Sequence, residues 1–600
     1  MTSPLPAERR PGQRHVPAPL APAPPTPADA GPDWRYIGRA LPWAILAVGL
    51  AVRFAVGRGG FSGLGDPPKH GDFEAQRHWM EITTNLPPRR WYLNDHAPGG
   101  LNDPAYWPLD YPPLSGYLAF ALGKLCAAFF DPAWVAAVSS RGTEAPGLVA
   151  FMRLSVILCD LVVLFPAAWL LAMRLFPRHP FLRAAVFAAV VFEPTLIIFD
   201  HGHFQYNGVM VGFMLAALGL LFDEAGPAGR PAISAKRLLG VVALCAAVTF
   251  KQMALFYTLP FAGFMIGASW RQAHGRPGPF AGRFLLLAVA ALAGLLAPVL
   301  PLVLDSMLAT EAKDHLGPAG TALAVLRRVF PVGRGLFEDK VANIWCAVSP
   351  AVKLRSMLTL RQAATMAAGT TLLLCLPACL AAARRPTGLR LLQATATGAL
   401  SFFLASFQVH EKSILIAAMP VAVLMCLLVL AAAAPGPPAA GHPATAADRA
   451  IAARALHTFI HFALFSCFPL LRRDGQTFGY AGLQVAWLGL GLLLPSTRPA
   501  PGAPRPGTGA RPQQGPLARA ALALVSHLWL PGLIGMVAVH LADLLVRPPG
   551  RLPDLWTMAI MIGSCGWFLL VHALLSVADL SRLAETGLPF RSTRRDLKDD

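Results

Sequence analysis

Apolar runs long enough to cross a bilayer recur along this chain, at 40–56, 154–173, 184–199, 284–304, 363–382, 413–434, 520–545 and 556–577. A helix needs about 20 apolar residues to span the hydrocarbon core, so these runs commit the chain to a membrane. Weaker runs lie at 208–222, around Phe250 and Lys251, and at 391–406, 455–471 and 480–495. Together they give an expectation of roughly eleven to fourteen helices. The runs exceed strand length and lack the alternation of a barrel, so the expected fold class is an all-α polytopic membrane protein. With 55% hydrophobic and only 14% charged residues, the composition excludes a soluble domain.

Lys and Arg are retained on the cytosolic side of short loops, and here they collect at 174–183, 230–237, 271–283, 384–390 and 498–519. Threading those five connectors onto one face puts 57–149, 200–206, Lys251, 305–345 and 407–412 together on the other, lumenal, face. That arrangement requires 114–130 and the apolar piece around Trp345 not to cross. It divides the chain into a disordered cytosolic tail (1–39), a membrane domain (40–434, with a first lumenal loop at 57–149), a linker (435–454), C-terminal membrane helices (455–577) interrupted by a linker at 496–519, and a cytosolic tail (578–600). The Pro-rich first residues lack the apolar core of a signal peptide, and the linkers are too rich in Pro, Ala and Gly to bury a core. A net charge of +19 raises the question of nucleic acid. The basic residues are scattered over loops without interleaved aromatics, so no nucleic-acid partner is expected, and lipid headgroups account for them better. The cysteines sit mainly inside apolar runs, which argues against a disulfide framework or structural zinc.

Charged and imidazole side chains beside long apolar runs mark a working site. Gly71-Asp-Phe-Glu-Ala-Gln-Arg-His-Trp-Met80 is the densest cassette and carries Asp72, Glu74, Arg77 and His78. A carboxylate among aromatic rings suits sugar handling: rings cover CH edges, and the acid takes a hydroxyl proton. Asp72 is the base candidate. The bland alternative is that Gly71 and Asp72 cap an amphipathic interfacial helix. Asp110 and Tyr111, ahead of Pro112 and Pro113, are candidates for acceptor or loop support, although Asp beside Pro commonly forms a turn. His201 and His203 form a His-x-His pair after Asp200, but a metal needs three or four ligands, so hydrogen bonding to sugar or phosphate is preferred and no metal is assigned. Lys251, Arg334 and the segment His410-Glu411-Lys412 supply charges at membrane edges, with Glu338 and Asp339 nearby. A Lys at a span end is commonly only a snorkel. Gathered on one face near an acid, these cations suit a phosphate-bearing lipid.

The motifs Gly-Asp-Phe-Glu-Ala-Gln-Arg-His-Trp-Met-Glu-Ile-Thr, Leu-Asp-Tyr-Pro-Pro-Leu, Asp-His-Gly-His-Phe-Gln-Tyr-Asn, Phe-Lys-Gln-Met-Ala-Leu, Arg-Gly-Leu-Phe-Glu-Asp-Lys-Val-Ala-Asn and Phe-Gln-Val-His-Glu-Lys-Ser-Ile-Leu occur in that order over about 70–415. This set resembles the endoplasmic-reticulum dolichyl-phosphate-glucose-dependent α-1,3-glucosyltransferases. The flanks at Arg77 and before His410 resemble the branch that adds the first glucose more than the branch that adds the second. The resemblance implies a lipid-linked-sugar glycosyltransferase fold with a large first lumenal loop, Asp72 as catalytic acid/base and His410 near the donor phosphate. It also implies a dolichyl phosphate glucose donor, a dolichyl pyrophosphate high-mannose oligosaccharide acceptor, an endoplasmic-reticulum membrane location and no cofactor. The chain departs from the pattern at 94–102 and in its linkers, and past residue 420 the likeness is mostly hydrophobic rhythm.

The reaction expected is one in-line displacement, in which Asp72 takes the acceptor hydroxyl proton as dolichyl phosphate leaves. Phosphate is a weakly basic leaving group, so it needs charge neutralisation more than a general acid, and His410, Lys412, Lys251 and Arg334 are the candidates. A transporter or flippase also needs intramembrane charge and is the rival reading. It predicts movement of substrate without a new glycosidic bond.

Overall fold

In lipid every backbone N–H and C=O must be bonded within its own segment, and the apolar runs answer that requirement as helices. The computed structural model describes residues 34–94, 99–222, 233–309, 317–330, 340–434, 446–495 and 514–589, and among these no strand occurs. Eight described helices are long and apolar enough to cross a membrane: Ile37–Val56, Pro146–Leu175, Gln252–Gln272, Pro277–Leu296, Leu360–Arg384, Glu411–Ala433, Pro516–Leu545 and Leu555–Val577. Pro180–Val191 and Pro194–Phe204, bent by 41°, make a ninth if they act as one span. The larger number expected from sequence includes Asn207–Leu221, Ala235–Phe250, Gly388–Ala405, Ala446–Ser466 and Thr477–Leu492, which fall short in length or hydropathy.

Neighbouring helices joined by short connectors pack on one another, so they run antiparallel and their turns alternate between two ends of the bundle. One end gathers the loop 57–145, the turn 198–207, Lys251 and residues 406–413. The other gathers the basic turns at 176–179, 273–276 and 385–387. The helix Glu411–Ala433 runs through the middle, with Ile414 through Leu424 each fully enclosed.

The loop 57–145 is ordered by helices of its own. Asp72–Asn85 and the apolar Pro113–Phe129 lie against each other, and the latter's 17 residues fall short of a full span. Every residue from Phe73 to Thr83 is buried although many are polar. A buried guanidinium explains this. Arg77 donates to Glu74 (2.7 and 2.6 Å), to Glu81 (2.7 Å) and to Ser140 (2.6 Å). Glu81 also accepts from Val138 N (2.7 Å) and contacts His78 Nδ1 (3.0 Å), while Tyr106 donates to Glu74 (2.8 Å). A charge taken out of water persists only when paired and hydrogen-bonded, and here the pairing stitches 106 and 134–140 to the loop helix. Burial opposes ionisation of Glu81, yet His78 and Arg77 outweigh it and bring its pKa down to about 2.

Several boundaries differ from the sequence expectation. The first helix starts at Trp34, inside the segment read as a tail. Ala446–Ser466 starts inside the expected linker 435–454, because its opening Ala-Ala-Asp-Arg-Ala-Ile-Ala-Ala favours helix and the Pro and Gly residues end at 443. Pro516–Leu545 likewise starts before 519, with Pro at its first position. The segment after 577 docks through Leu580, Leu583 and Ala584, which are fully buried. Trp345 lies in the five-residue helix Ile344–Val348, too short to cross. The remaining parts of the expected tails and linkers, at 1–33, 435–445, 496–513 and 590–600, lie outside the described residues.

Candidate active site

Asp72 opens the loop helix at its first position, behind Gly71. A Cβ on Gly71 would come within 2.4 Å of Ser62 Oγ, so only glycine lets the chain pass close enough for Asp72 N to donate to that hydroxyl (3.1 Å). The side chain does not cap the helix. Its Oδ2 accepts instead from Lys412 Nζ and Gln205 Nε2, and lies 3.0 Å from His203 Nε2. Among the described residues no donor reaches Oδ1, and the carboxylate is 21% exposed on a cavity wall. Burial by itself raises a carboxyl pKa, but the Lys412 ammonium and the His203 contact outweigh it and hold Asp72 well below the ordinary range. One oxygen is therefore anchored and the other is open to a hydroxyl.

The turn that delivers His203 and Gln205 is a π-helical stretch, Ile198–Phe204. Phe204, between them, sits at φ 85°, a left-handed conformation costly for a side chain of its size. Packing overrides that cost. Phe204 is fully enclosed against Phe73 (centroids 4.9 Å apart), and Arg153 holds the turn's carbonyls at His201 and Gly202 while donating to Gly60 O (3.0 Å). The strain aims two side chains, one residue apart on either side of Phe204, at a single carboxylate oxygen. Gln408, two residues before His410, is also left-handed, at φ 61°.

Lys251 is 1% exposed and does not touch Asp72. It donates to Asn207 Oδ1 (2.6 Å) and Gln205 Oε1 (3.1 Å), and its ammonium lies 4.6 Å from the centre of the Tyr111 ring. It thus fixes the amide whose other end donates to Asp72. Tyr111 OH is 3.4 Å from the same Gln205 oxygen. Asp200 is bound by Asn207 Nδ2 (2.7 Å) and Gly208 N (2.6 Å), beneath this layer.

The cavity above Asp72 has a volume of about 890 Å³. Asp110, Tyr111, His410, Glu411 and Lys412 line its polar part along with Asp72, His203 and Gln205. Leu255, Phe256, Leu360, Ala364 and Phe402 line an apolar side, where Phe256 and Phe402 stack at 5.0 Å. Two arginines on its wall, Arg361 and Arg473, have no ionic or hydrogen-bond partner among the described residues. A carboxylate with one open oxygen, unpaired cations and an apolar flank in one cavity fit a polar headgroup on an apolar chain.

Of the residues singled out from sequence, Asp72, His203 and Lys412 meet directly, and Asp110, Tyr111, His410 and Glu411 share their cavity. Lys251 packs on Tyr111 and reaches Asp72 through Gln205. His201 turns away: its Nε2 lies 3.0 Å from Asp160 Oδ2, so the His-x-His pair does not converge on one ligand. Glu74, Arg77 and His78 form the buried network under the loop helix and do not line the cavity. Arg334, Glu338 and Asp339 lie outside the described residues. Gln205 stands inside a motif recognised from sequence but was not singled out, and Asp474 was missed altogether. Asp474 is buried between Phe468–Arg473 and Thr477–Leu492, with Oδ2 2.6 Å from His203 Nδ1. A lone acid between apolar helices was its only signal.

The chain matches the ALG6, ALG8 glycosyltransferase family over residues 48–435 and 439–574, well past the point where motifs alone give out. It is similar to the dolichyl pyrophosphate Man9GlcNAc2 alpha-1,3-glucosyltransferase of Mus musculus, at 34% identity over 541 residues, 87% of this chain and 94% of that protein. The protein of the same name from Saccharomyces cerevisiae is 33% identical over 530 residues, 86% of this chain and 87% of that one. A probable enzyme of that name from Schizosaccharomyces pombe is 32% identical over 520 residues, with 86% and 87% covered. A match of this length in both respects means that the chain belongs to the ALG6, ALG8 glycosyltransferase family.

Proposed function

We propose that this glycosyltransferase moves glucose from dolichyl phosphate glucose to a dolichyl pyrophosphate-linked Man9GlcNAc2 oligosaccharide, at the lumenal face of the endoplasmic-reticulum membrane, forming an α-1,3 linkage. The observation that carries the reading is the Asp72 carboxylate, anchored through Oδ2 and open at Oδ1 on an 890 Å³ cavity with an apolar flank. The relatives' names supply the acceptor, and the resemblance of the motifs supplies the donor.

In the mechanism, Asp72 Oδ1 accepts the proton of the mannose 3-hydroxyl as that oxygen attacks the glucose anomeric carbon. The bond from that carbon to the phosphate oxygen breaks with inversion, turning a β-linked donor into an α product, and dolichyl phosphate leaves as an anion. A positioned base contributes about 100- to 10,000-fold. Lys412 is engaged by Asp72, so its charge serves the carboxylate first. Arg361 and Arg473, which have no partner among the described residues, and His410 on the same cavity wall are the groups placed to neutralise phosphate. Lys251 acts through Gln205, not on the phosphate.

The test is purified full-length chain with dolichyl phosphate glucose and the Man9GlcNAc2 pyrophosphate lipid, read by mass. The expected result is a gain of one hexose that is lost in Asp72→Asn. No gain, or movement of lipid without a new bond, overturns the reading. Offering the acceptor with one glucose already attached separates the first α-1,3 transfer from the second.

A further inference from the structure

We infer that Asp474 is a positioning residue for the transfer reaction: through His203 it keeps Asp72 charged and its Oδ2 anchored. The inference rests on the reading of Asp72 as the base. It brings the C-terminal half of the chain, where sequence motifs run out, into the chemistry.

The geometry is a carboxylate–imidazole–carboxylate line. Asp474 Oδ2 lies 2.6 Å from His203 Nδ1, and Asp72 Oδ2 lies 3.0 Å from His203 Nε2. Ionised carboxylates only accept, so an imidazole with one on each nitrogen satisfies both contacts only when both nitrogens carry hydrogen. His203 and Asp474 side chains are each 2% exposed, so water does not replace either contact. In that form His203 is a second cation on Asp72 Oδ2 beside Lys412, whose Nζ lies 3.3 Å from His203 Nε2. Two like charges side by side are tolerable only with two acids facing them, and Asp72 and Asp474 are those acids.

Asp474 is itself held by the first loop. A Cβ on Gly60 would come within 2.2 Å of Asp474 O, and Gln476 Nε2 donates to Gly60 O (2.5 Å). The segment 474–476 is therefore clamped against the strand of chain that leads to Asp72. Without Asp474, a neutral His203 presents a bare nitrogen to Asp72 in one tautomer, and in the other donates without adding charge. Either way the base loses a counter-charge. The remaining ionisable groups around Asp72 are Lys412 beside it, Lys251 behind Gln205, and Asp110, Tyr111, Arg361, His410, Glu411 and Arg473 around the cavity, none of them replaced by a change at 474.

The experiment measures hexose transfer by purified full-length chain from dolichyl phosphate glucose to the Man9GlcNAc2 pyrophosphate lipid. D474N is expected to lower kcat by about 10- to 100-fold, the range for losing a charged hydrogen bond, with both KM values within about twofold. Its acid limb should move to higher pH, because an Asp72 with fewer counter-charges binds its proton more readily. H203Q should fall by a similar factor, and D474N added to H203Q should cost nothing further. A D474N enzyme at wild-type rate, an unmoved acid limb, or a full repeat of the loss in the H203Q background overturns the inference. A measurement independent of the variant's folding is the imidazole 15N spectrum of wild-type chain at pH 7, assigned by the signals missing in H203Q. Both nitrogens protonated supports the inference, and a neutral tautomer overturns it. A wild-type chain that transfers no hexose overturns the reading of the base, while the 15N result still decides the state of His203.

Discussion

His201 and His203 leave the same turn and enter opposite kinds of surroundings. His201 meets Asp160 (3.0 Å), which is also bound by Arg53 Nε (2.7 Å), and Arg53 reaches back to Val191 O (2.7 Å) and packs 4.8 Å from the Phe165 ring. None of the side chains of Arg53, Asp160 and His201 is more than 2% exposed. His203 meets a carboxylate on a cavity wall. The two clusters use the same residue types, an acid, an imidazole and a cation. The first is closed on every side and ties the first helix, the helix Pro146–Leu175 and the 198–204 turn together. The second leaves one carboxylate oxygen open. Access, more than composition, separates a staple from a working group.

Breaking each cluster should therefore have a different consequence. The largest effect is expected for Asp72→Asn, which removes about 100- to 10,000-fold of kcat per folded molecule, far more than any accompanying fall in folded yield; mass detection of the extended glycolipid measures it. A variant that unfolds instead would erase the distinction drawn here. Next comes Arg53→Met, which strands Asp160 in a dry site and should cost about 3–5 kcal/mol of stability. That loss reads as a lower midpoint and yield, with turnover per folded molecule unchanged.

Lys251→Met sharpens the comparison, because Lys251 is as buried as Arg53 yet acts on the open cluster. Freed from the ammonium, Gln205 no longer holds its amide towards Asp72, and kcat should fall about 10-fold with little change in KM. The smallest effect concerns the third buried cluster, under the loop helix. Glu81 has its pKa drawn from 4.5 down to about 2. A carboxyl depressed by folding stabilises the fold above its unfolded pKa, and that contribution is lost as pH falls from about 4.5 towards 2. Glu81→Gln should lower the midpoint at neutral pH and converge with wild type across that acid window, followed by thermal unfolding. Parallel curves would remove Glu81 from the network.

Much of the site was legible because membrane chemistry makes charge conspicuous. Asp72 and Lys412 stand out against apolar neighbours 340 residues apart, and the ammonium of one donates to the carboxylate of the other. Where charge was not conspicuous, reading failed. Gln205 is neutral, and the left-handed Phe204 that aims it leaves no mark in a one-letter string. Glu74, Arg77 and His78 stand out just as strongly as Asp72, yet their partners are Glu81, Ser140, Tyr106 and one another. Density of charge marks both kinds of cluster alike.

Hydropathy along the chain was enough to require a helical membrane protein, since each apolar run answers for its own backbone hydrogen bonds locally. Six ordered motifs were enough to indicate a lipid-linked-sugar glycosyltransferase. What the linear order could not contain is which acid is paired with which base. Asp474, Gln205 and Lys251 acquire their places only when a strained turn, a glycine contact at Gly60 and the central helix are packed together. Hydrogen bonds act over about 3 Å, and neighbours at that range are made by tertiary packing.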